Sequence, residues 1–141
     1  MTLQMDTAAL NAFLDREFAQ VSRDFRVVSA TAAQLKLRMT VSDQHLRPGG
    51  TVSGPTMFAL ADVAVYLAIL SHIGPRALSV TTSCSIDFMR KPAAATPLIA
   101  EARILKLGRV LAVGDVLVFS EGHDAPVARA SLTYSIPPAK P

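Results

Sequence analysis

The sequence has a single cysteine, no tryptophan and charged side chains at only 18% of its 141 residues. One cysteine, Cys84, excludes an internal disulfide and favours a reducing compartment, so we expect a cytoplasmic protein. No basic segment followed by a cleavage site is visible at the start of the sequence, so we expect no secretory signal. The net charge of +3 comes without a cluster of Lys and Arg interleaved with aromatic residues, which argues against a nucleic-acid partner. The three histidines, His45, His72 and His123, are dispersed, so no metal site is predicted.

The most apolar stretch of the sequence is GPTMFALADVAVYLAILSHIG, in which Asp62 is the only acid. Its length is close to that of a membrane span. A carboxylate would be costly at membrane depth, however, and the flanking segments alternate like β-strands. Pro55 suits a first helical turn, and Gly74 followed by Pro75 ends the pattern. The stretch therefore predicts a buried core helix over about 55–73, with no membrane partner.

The rest of the chain predicts one outer helix and a sheet. Apolar residues at helical spacing indicate a helix over about 6–20. Alternating or β-rich segments predict strands at 25–30, 33–41, 77–89, 98–107, 110–120 and 126–136, and the tail 137–141 is expected to be loose. We interpret residues 1–141 as a single α+β domain in which one curved sheet wraps the core helix. Short connections predict that the last four strands are neighbours in chain order, and the exposed sheet edges indicate oligomerisation.

Four segments of the sequence resemble a known family: SGPTMFALADVAVYLA, SVTTSCSIDFMRKP, LKLGR and PVARASLTYSI. They are similar to the hotdog-fold acyl-CoA thioesterases of the phenylacetate-pathway type, over roughly residues 25–137. The resemblance implies a hotdog fold, a curved antiparallel sheet around a long central helix. It also implies homodimers joined edge to edge, commonly as dimers of dimers, with active sites at the dimer interface. Coenzyme A is part of the substrate in this family, so no cofactor is expected.

The family motif at the start of the central helix is His-Gly-Gly, four variable residues, Leu, any residue, then Asp or Glu. The corresponding residues here are Ser53, Gly54 and Pro55, followed by Leu60 and Asp62. The resemblance implies that Asp62 is the catalytic acid, as general base or nucleophile. It implies that the N–H of Gly54 polarises the thioester carbonyl, as free N–H groups at a helix N-terminus can.

Further site residues are implied at less distinctive positions. Thr81 matches a Ser or Thr that helps to place the attacking water in relatives. The substrate and coenzyme A contacts implied by position are Ser53, Pro55, Arg90, Lys91, Lys106 and Arg109. The predicted function is hydrolysis of a small, medium-chain or aryl acyl-CoA.

The sequence departs from the motif at three positions. Ser53 replaces the motif His, Pro55 replaces the second Gly and removes a backbone donor, and Arg47 stands where many relatives carry Asn or Asp. Ser53 is also well suited to cap the helix. These changes leave open a non-hydrolytic acyl-CoA-binding protein, or a purely structural oligomer in which Asp62 makes a structural contact. A hotdog dehydratase or hydratase would carry a catalytic His, and Ser53 argues against it.

Overall fold

A computed structural model describes residues 3–20, 22–77 and 79–138. It contains two α-helices, α1 (Thr7–Glu17) and α2 (Gly54–Ile73). The six strands are β1 (Phe25–Ala30), β2 (Leu35–Met39), β3 (Val80–Phe88), β4 (Leu98–Leu107), β5 (Leu111–Ser120) and β6 (Ala128–Ser135). Each predicted element is present, and most are a few residues shorter than expected. The predicted loose tail, 137–141, lies largely outside the described residues.

Helix α2 begins and ends at the residues that the sequence indicates. The Ser53 side chain accepts a hydrogen bond from the N–H of Thr56 at 3.3 Å, and Gly74 follows the last turn with φ at 90°. The helix is long and apolar enough to cross a membrane, but 67% of its most apolar window is buried against the rest of the chain. Leu60, Leu67 and Leu70 are among its fully buried side chains.

The strands form one antiparallel sheet in the order β1-β2-β4-β5-β6-β3. The predicted α+β architecture, a sheet wrapped around a long helix, is confirmed. The predicted order of the last four strands was wrong in one respect, because β3 pairs with β6 at the edge of the sheet and not with β4. The segment between β3 and β4 crosses from that edge to the middle of the sheet.

Small residues on the inner face of the sheet let α2 approach closely. Ala100 and Ala102 on β4 and Ala112 on β5 are completely buried. Gly114 is the tightest point, since a Cβ atom there would lie 3.0 Å from Cγ1 of Val65. The close approach of backbone to helix explains why the inner face carries so few large side chains in this region.

The two edges of the sheet differ in whether another element of the chain covers them. At β1, the Asn11 side chain of α1 accepts from the N–H of Val27 at 2.8 Å and donates to its carbonyl at 3.1 Å. Helix α1 therefore covers that edge. No described element pairs with the outer edge of β3, where Val80 and Phe88 are 55% and 52% exposed. An uncovered edge strand of this length is a site for pairing with another strand.

Candidate active site

The carboxyl group of Asp62 is held by two hydroxyl groups from the sheet. Thr81 Oγ1 donates to Asp62 Oδ1 at 2.6 Å, and Tyr134 Oη donates to the same oxygen at 2.6 Å. The second carboxyl oxygen, Oδ2, accepts from no residue within 3–20, 22–77 or 79–138. No cation pairs with Asp62 in the same ranges. One oxygen is thus fixed and the other is left for a ligand.

Strand register explains why the two hydroxyls meet. Thr81 and Tyr134 are directly opposite each other in the β3–β6 pair, and Tyr134 is in turn opposite Ala112 of β5. A bulge lies immediately after Thr81. Bulges bend a strand locally and re-aim its side chains, which here allows a half-buried edge residue to face α2.

A cavity of about 380 Å³ opens beside this carboxylate. Asp62, Thr81 and Tyr134 form its polar end, with Ser79 nearby. Its apolar wall consists of Leu14, Phe18, Phe25, Val63, Tyr66 and Val80. A mainly apolar cavity with a few convergent polar groups is the usual form of a small-molecule site. Met57, Phe58 and Met89, which the sequence indicates as walls of an acyl pocket or as core residues, are not among these residues. Met57 is buried in the core.

The start of α2 holds the other predicted group, Gly54. Its N–H has no acceptor in the described parts of the chain and lies in the first turn, where the helix dipole favours negative charge. The ring of Phe88 packs against it, since a Cβ atom at Gly54 would lie 3.2 Å from that ring. A side chain larger than glycine at this position would require the ring to shift. Ser53 is engaged as the helix cap, and Pro55 supplies no donor.

Gly54 and Asp62 do not meet within one chain. They are eight positions apart on α2, which corresponds to about 12 Å along the helix axis. Gly54 contacts Phe88 at the C-terminal end of β3, whereas Asp62 contacts Thr81 at the beginning of that strand. The structure therefore brings together Asp62 and Thr81, but not Asp62 and Gly54.

The four cations among the predicted substrate and coenzyme A contacts are exposed and fall at opposite ends of the sheet. Lys106 and Arg109 lie at the β4–β5 turn, close in sequence to Leu107. Leu107 is in the row that runs through Ala112 and Tyr134 to Thr81. Arg90 and Lys91 follow β3, at the end near Gly54, and Arg90 donates to the carbonyl of Pro126. Each half of the predicted site therefore has two cations of its own.

Two other clusters do not resemble catalytic centres. A groove of about 580 Å³ on the outer face of the sheet is lined by side chains in ion pairs, such as Arg103 with Asp115 at 3.1 Å. His45 is buried, accepts from the N–H of Ser42 at 2.9 Å and lies 3.6 Å from Asp24. Among the described residues, no group of His, Cys, Asp and Glu could hold a metal ion.

Tyr134 is the site residue that sequence reasoning missed. Its strand alternates with Ala128, Ala130 and Leu132 on the buried face, so Tyr134 is the only residue on that face with a hydroxyl group. A buried tyrosine hydroxyl requires a hydrogen-bond partner, and this requirement was the available signal. Burial raises the pKa of Tyr134, and its hydrogen bond to Asp62 raises that pKa further, so the group is a neutral donor.

Comparisons with known proteins agree with the fold. Residues 49–127 match the sequence model of the thioesterase superfamily. The crystal structure of a predicted thioesterase from Silicibacter sp. TM1040 is 54% identical, with a TM-score of 0.91 over 98% of this chain and 96% of that one. The PaaI protein of the E. coli phenylacetic acid degradation operon is 25% identical, with a TM-score of 0.78 over 95% and 96% of the two chains.

One curated relative is similar over a shorter length. A predicted esterase of Archaeoglobus fulgidus is 34% identical over 85 residues, which are 60% of this chain and 53% of that protein. The match thus spans about half the length of that relative.

Proposed function

Because the chain belongs to the thioesterase superfamily, we propose that it hydrolyses an acyl-CoA thioester to a free acid and coenzyme A. The observation that carries this proposal is the carboxylate of Asp62 beside an apolar cavity. Its Oδ1 is fixed, and its Oδ2 has no partner in the described part of the chain. The cavity has room for a short, medium-chain or aryl acyl group, which its aromatic walls would pack against.

Asp62 has two possible roles in this reaction. As a general base it takes a proton from water while the water oxygen forms a bond to the thioester carbon. As a nucleophile its Oδ2 forms that bond itself, and water then hydrolyses the resulting anhydride. In both routes the carbon–sulfur bond breaks, and the departing thiolate of coenzyme A takes up a proton. Negative charge develops on the carbonyl oxygen, which needs a donor.

We propose that the donor is Gly54 of a second copy of the chain. The uncovered edge of β3 supports pairing with the same edge of a partner. A two-fold axis normal to the sheet makes the paired strands antiparallel, so the Thr81 end of one meets the Phe88 end of the other. Gly54 lies against Phe88 and Asp62 against Thr81. Each dimer would then hold two sites, each with an acid from one chain and a donor from the other.

The same symmetry would bring the cations together. Arg109 and Lys106 of one chain lie at the Thr81 end, and Arg90 and Lys91 of the other would approach that end. Four cations around one site suit the phosphates of coenzyme A. Pairing of two such dimers, and a cytoplasmic location in keeping with the single Cys84, are part of the same proposal.

A second function is favoured by two specific residues. Ser53 stands at the motif His and is occupied as the helix cap, and Pro55 offers no N–H. A site with one oxyanion donor fewer would hydrolyse more slowly, because one donor contributes about a hundred- to a thousand-fold in rate. The alternative is therefore a protein that binds acyl-CoA without turnover.

Release of coenzyme A from acetyl-, hexanoyl- and phenylacetyl-CoA distinguishes the two functions. We expect turnover that falls about a hundred- to ten-thousand-fold in Asp62→Asn, which keeps the size of the side chain. Asp115→Asn is the matched control, since Asp115 lies in an exposed ion pair on the outer face. Saturable acyl-CoA binding without turnover would favour the binding protein, and turnover unaffected by Asp62→Asn would contradict the role of the acid.

A further inference from the structure

We infer that Tyr134 is a positioning residue for the reaction: with Thr81 it anchors Oδ1 of Asp62, so that Oδ2 is the oxygen that acts on the substrate. This inference rests on the proposed function, because it assigns a task within the same site. It depends on three features of the structure, namely the convergence of two donors on one oxygen, the fixed position of the tyrosine ring, and the charges around the carboxylate.

The two donors converge on the same atom. Thr81 and Tyr134 each place a hydroxyl oxygen 2.6 Å from Asp62 Oδ1. Such short O–H···O distances are typical of hydrogen bonds to an ionised carboxylate. Tyr134 Oη also lies 3.0 Å from the backbone carbonyl of Asp62, so it contacts both the side chain and the helix that carries it. The carboxylate can therefore rotate only by breaking these contacts.

The tyrosine ring itself has little freedom. Tyr134 is 3% exposed, and its ring centroid lies 6.0 Å from that of Tyr66 on α2. Its backbone is held on both sides, opposite Thr81 of β3 and opposite Ala112 of β5. A hydroxyl on a central, buried strand residue is a more rigid support than one on a loop.

The groups that face Asp62 include no cation among the described residues. They are the hydroxyls of Thr81 and Tyr134 and the thiol of Cys84, while Tyr66 lies behind Tyr134. Burial raises the pKa of Tyr66 to about 12 and also raises the pKa of Cys84, which the charge of Asp62 raises further. Tyr134, Tyr66 and Cys84 are thus neutral at physiological pH. Among the described residues, the side chains that donate to Asp62 do so through hydroxyl groups.

Tyr134→Phe removes only the hydroxyl and keeps the ring. We expect kcat to fall about ten- to a hundred-fold, because a hydrogen bond to a charged group is lost. KM should change little, since the ring still fills its place.

Tyr66→Phe is the matched control. It deletes the same group from a neighbouring ring, but the Tyr66 hydroxyl donates to the carbonyl of Ala77 at 3.0 Å and not to Asp62. Its kcat should fall less than that of Tyr134→Phe, whatever its effect on KM. An equal loss of kcat in both variants, or an unchanged kcat in Tyr134→Phe, would overturn the inference.

A fluorine signal tests the contact without relying on activity. In Tyr66→Phe labelled with 3-fluorotyrosine, Tyr134 is the only tyrosine, since the sequence has two. Its resonance should move when Asp62→Asn is added, because the Tyr134 hydroxyl then donates to an amide in place of the carboxyl group. It should stay in place when Asp115→Asn is added instead, since Asp115 lies in an ion pair on the outer face. A resonance that Asp62→Asn leaves in place, or that Asp115→Asn moves equally, would overturn the inference. Wild-type protein without turnover would instead contradict the proposed function and leave the fluorine result to decide the contact.

Discussion

The start and the middle of helix α2 carry the two halves of the proposed chemistry, and they are built differently. In the middle, Asp62 is fixed by Thr81 and Tyr134 from two paired strands of the same chain. At the start, the N–H of Gly54 has no acceptor among the described residues, and the half-exposed ring of Phe88 packs against the Cα atom of Gly54. The acid is thus organised inside one chain, whereas the donor lies at a surface. This difference supports the proposal that the complete site forms between chains.

Mixing two inactive variants provides the sharpest test of that comparison. Gly54→Val adds bulk where a Cβ atom alone would lie 3.2 Å from Phe88, and it should reduce turnover about a hundred- to a thousand-fold by displacing the donor. Asp62→Asn removes the acid. If each site combines the two residues from different chains, half of the randomly mixed dimers carry one intact site, and about a quarter of wild-type activity returns.

The control for this experiment is each variant refolded alone, with subunit exchange followed through two different affinity tags. Tagged mixed dimers that remain inactive would show that Gly54 and Asp62 act within one chain. That result would contradict the shared site while leaving the role of Asp62 intact.

The sequence predicted the helices and strands well because their signals are local. Apolar periodicity, Ser53 as a cap and Gly74 as a stop define α2 to within a residue. Strand β4 has the predicted bounds for the same reason, since its alternation is strong. These features need no knowledge of the rest of the chain.

The position of β3 and the environment of Asp62 were not predictable in the same way. Nothing local to residues 80–88 specifies pairing with β6 in preference to β4, and the register that sets Thr81 opposite Tyr134 depends on packing across the sheet. The family resemblance supplied Asp62, Gly54 and Thr81. It did not supply Tyr134, which the structure alone brings to the carboxylate.

Removing the hydroxyl of Thr81 tests the support of Asp62, the residue in the middle of α2, without affecting Gly54. Thr81→Val keeps the shape of the side chain but leaves Asp62 Oδ1 with one donor, so kcat should fall about tenfold. Thr81→Ser should retain most of the activity. Steady-state kinetics of both variants, beside Thr82→Val as a control, provide the measurement. Thr82 is the exposed neighbour, and its hydroxyl donates to the carbonyl of Thr133. A similar loss in Thr82→Val would indicate a general effect on the strand.

Substitution of the cations tests whether the Thr81 end of one chain and the Phe88 end of its partner contribute to one binding site. Arg109→Ala and Arg90→Ala should each raise KM for an acyl-CoA about two- to fivefold, since an exposed ion pair contributes little in free energy. The increase should diminish at high salt. Arg103→Ala serves as the control, because Arg103 pairs with Asp115 on the outer face. If only one of the two substitutions, Arg109→Ala or Arg90→Ala, raises KM, the proposal that both residues contact the phosphates of one coenzyme A is wrong.

The smallest expected effect concerns Ser53, which stands where relatives carry the motif His. Its hydroxyl accepts from the N–H of Thr56 and lies 2.8 Å from the hydroxyl of that residue, which in turn donates to the carbonyl of His45. Ser53→Ala should lower the free energy of unfolding by about 1 kcal/mol, whereas Ser53→Asp should preserve it. Urea unfolding of both variants provides the measurement, with Ser83→Ala on the exposed strand as the control. If Ser53→Ala, Ser53→Asp and Ser83→Ala were equally stable, Ser53 would not stabilise the start of the helix. The exchange of His for Ser would then have no structural explanation at this position.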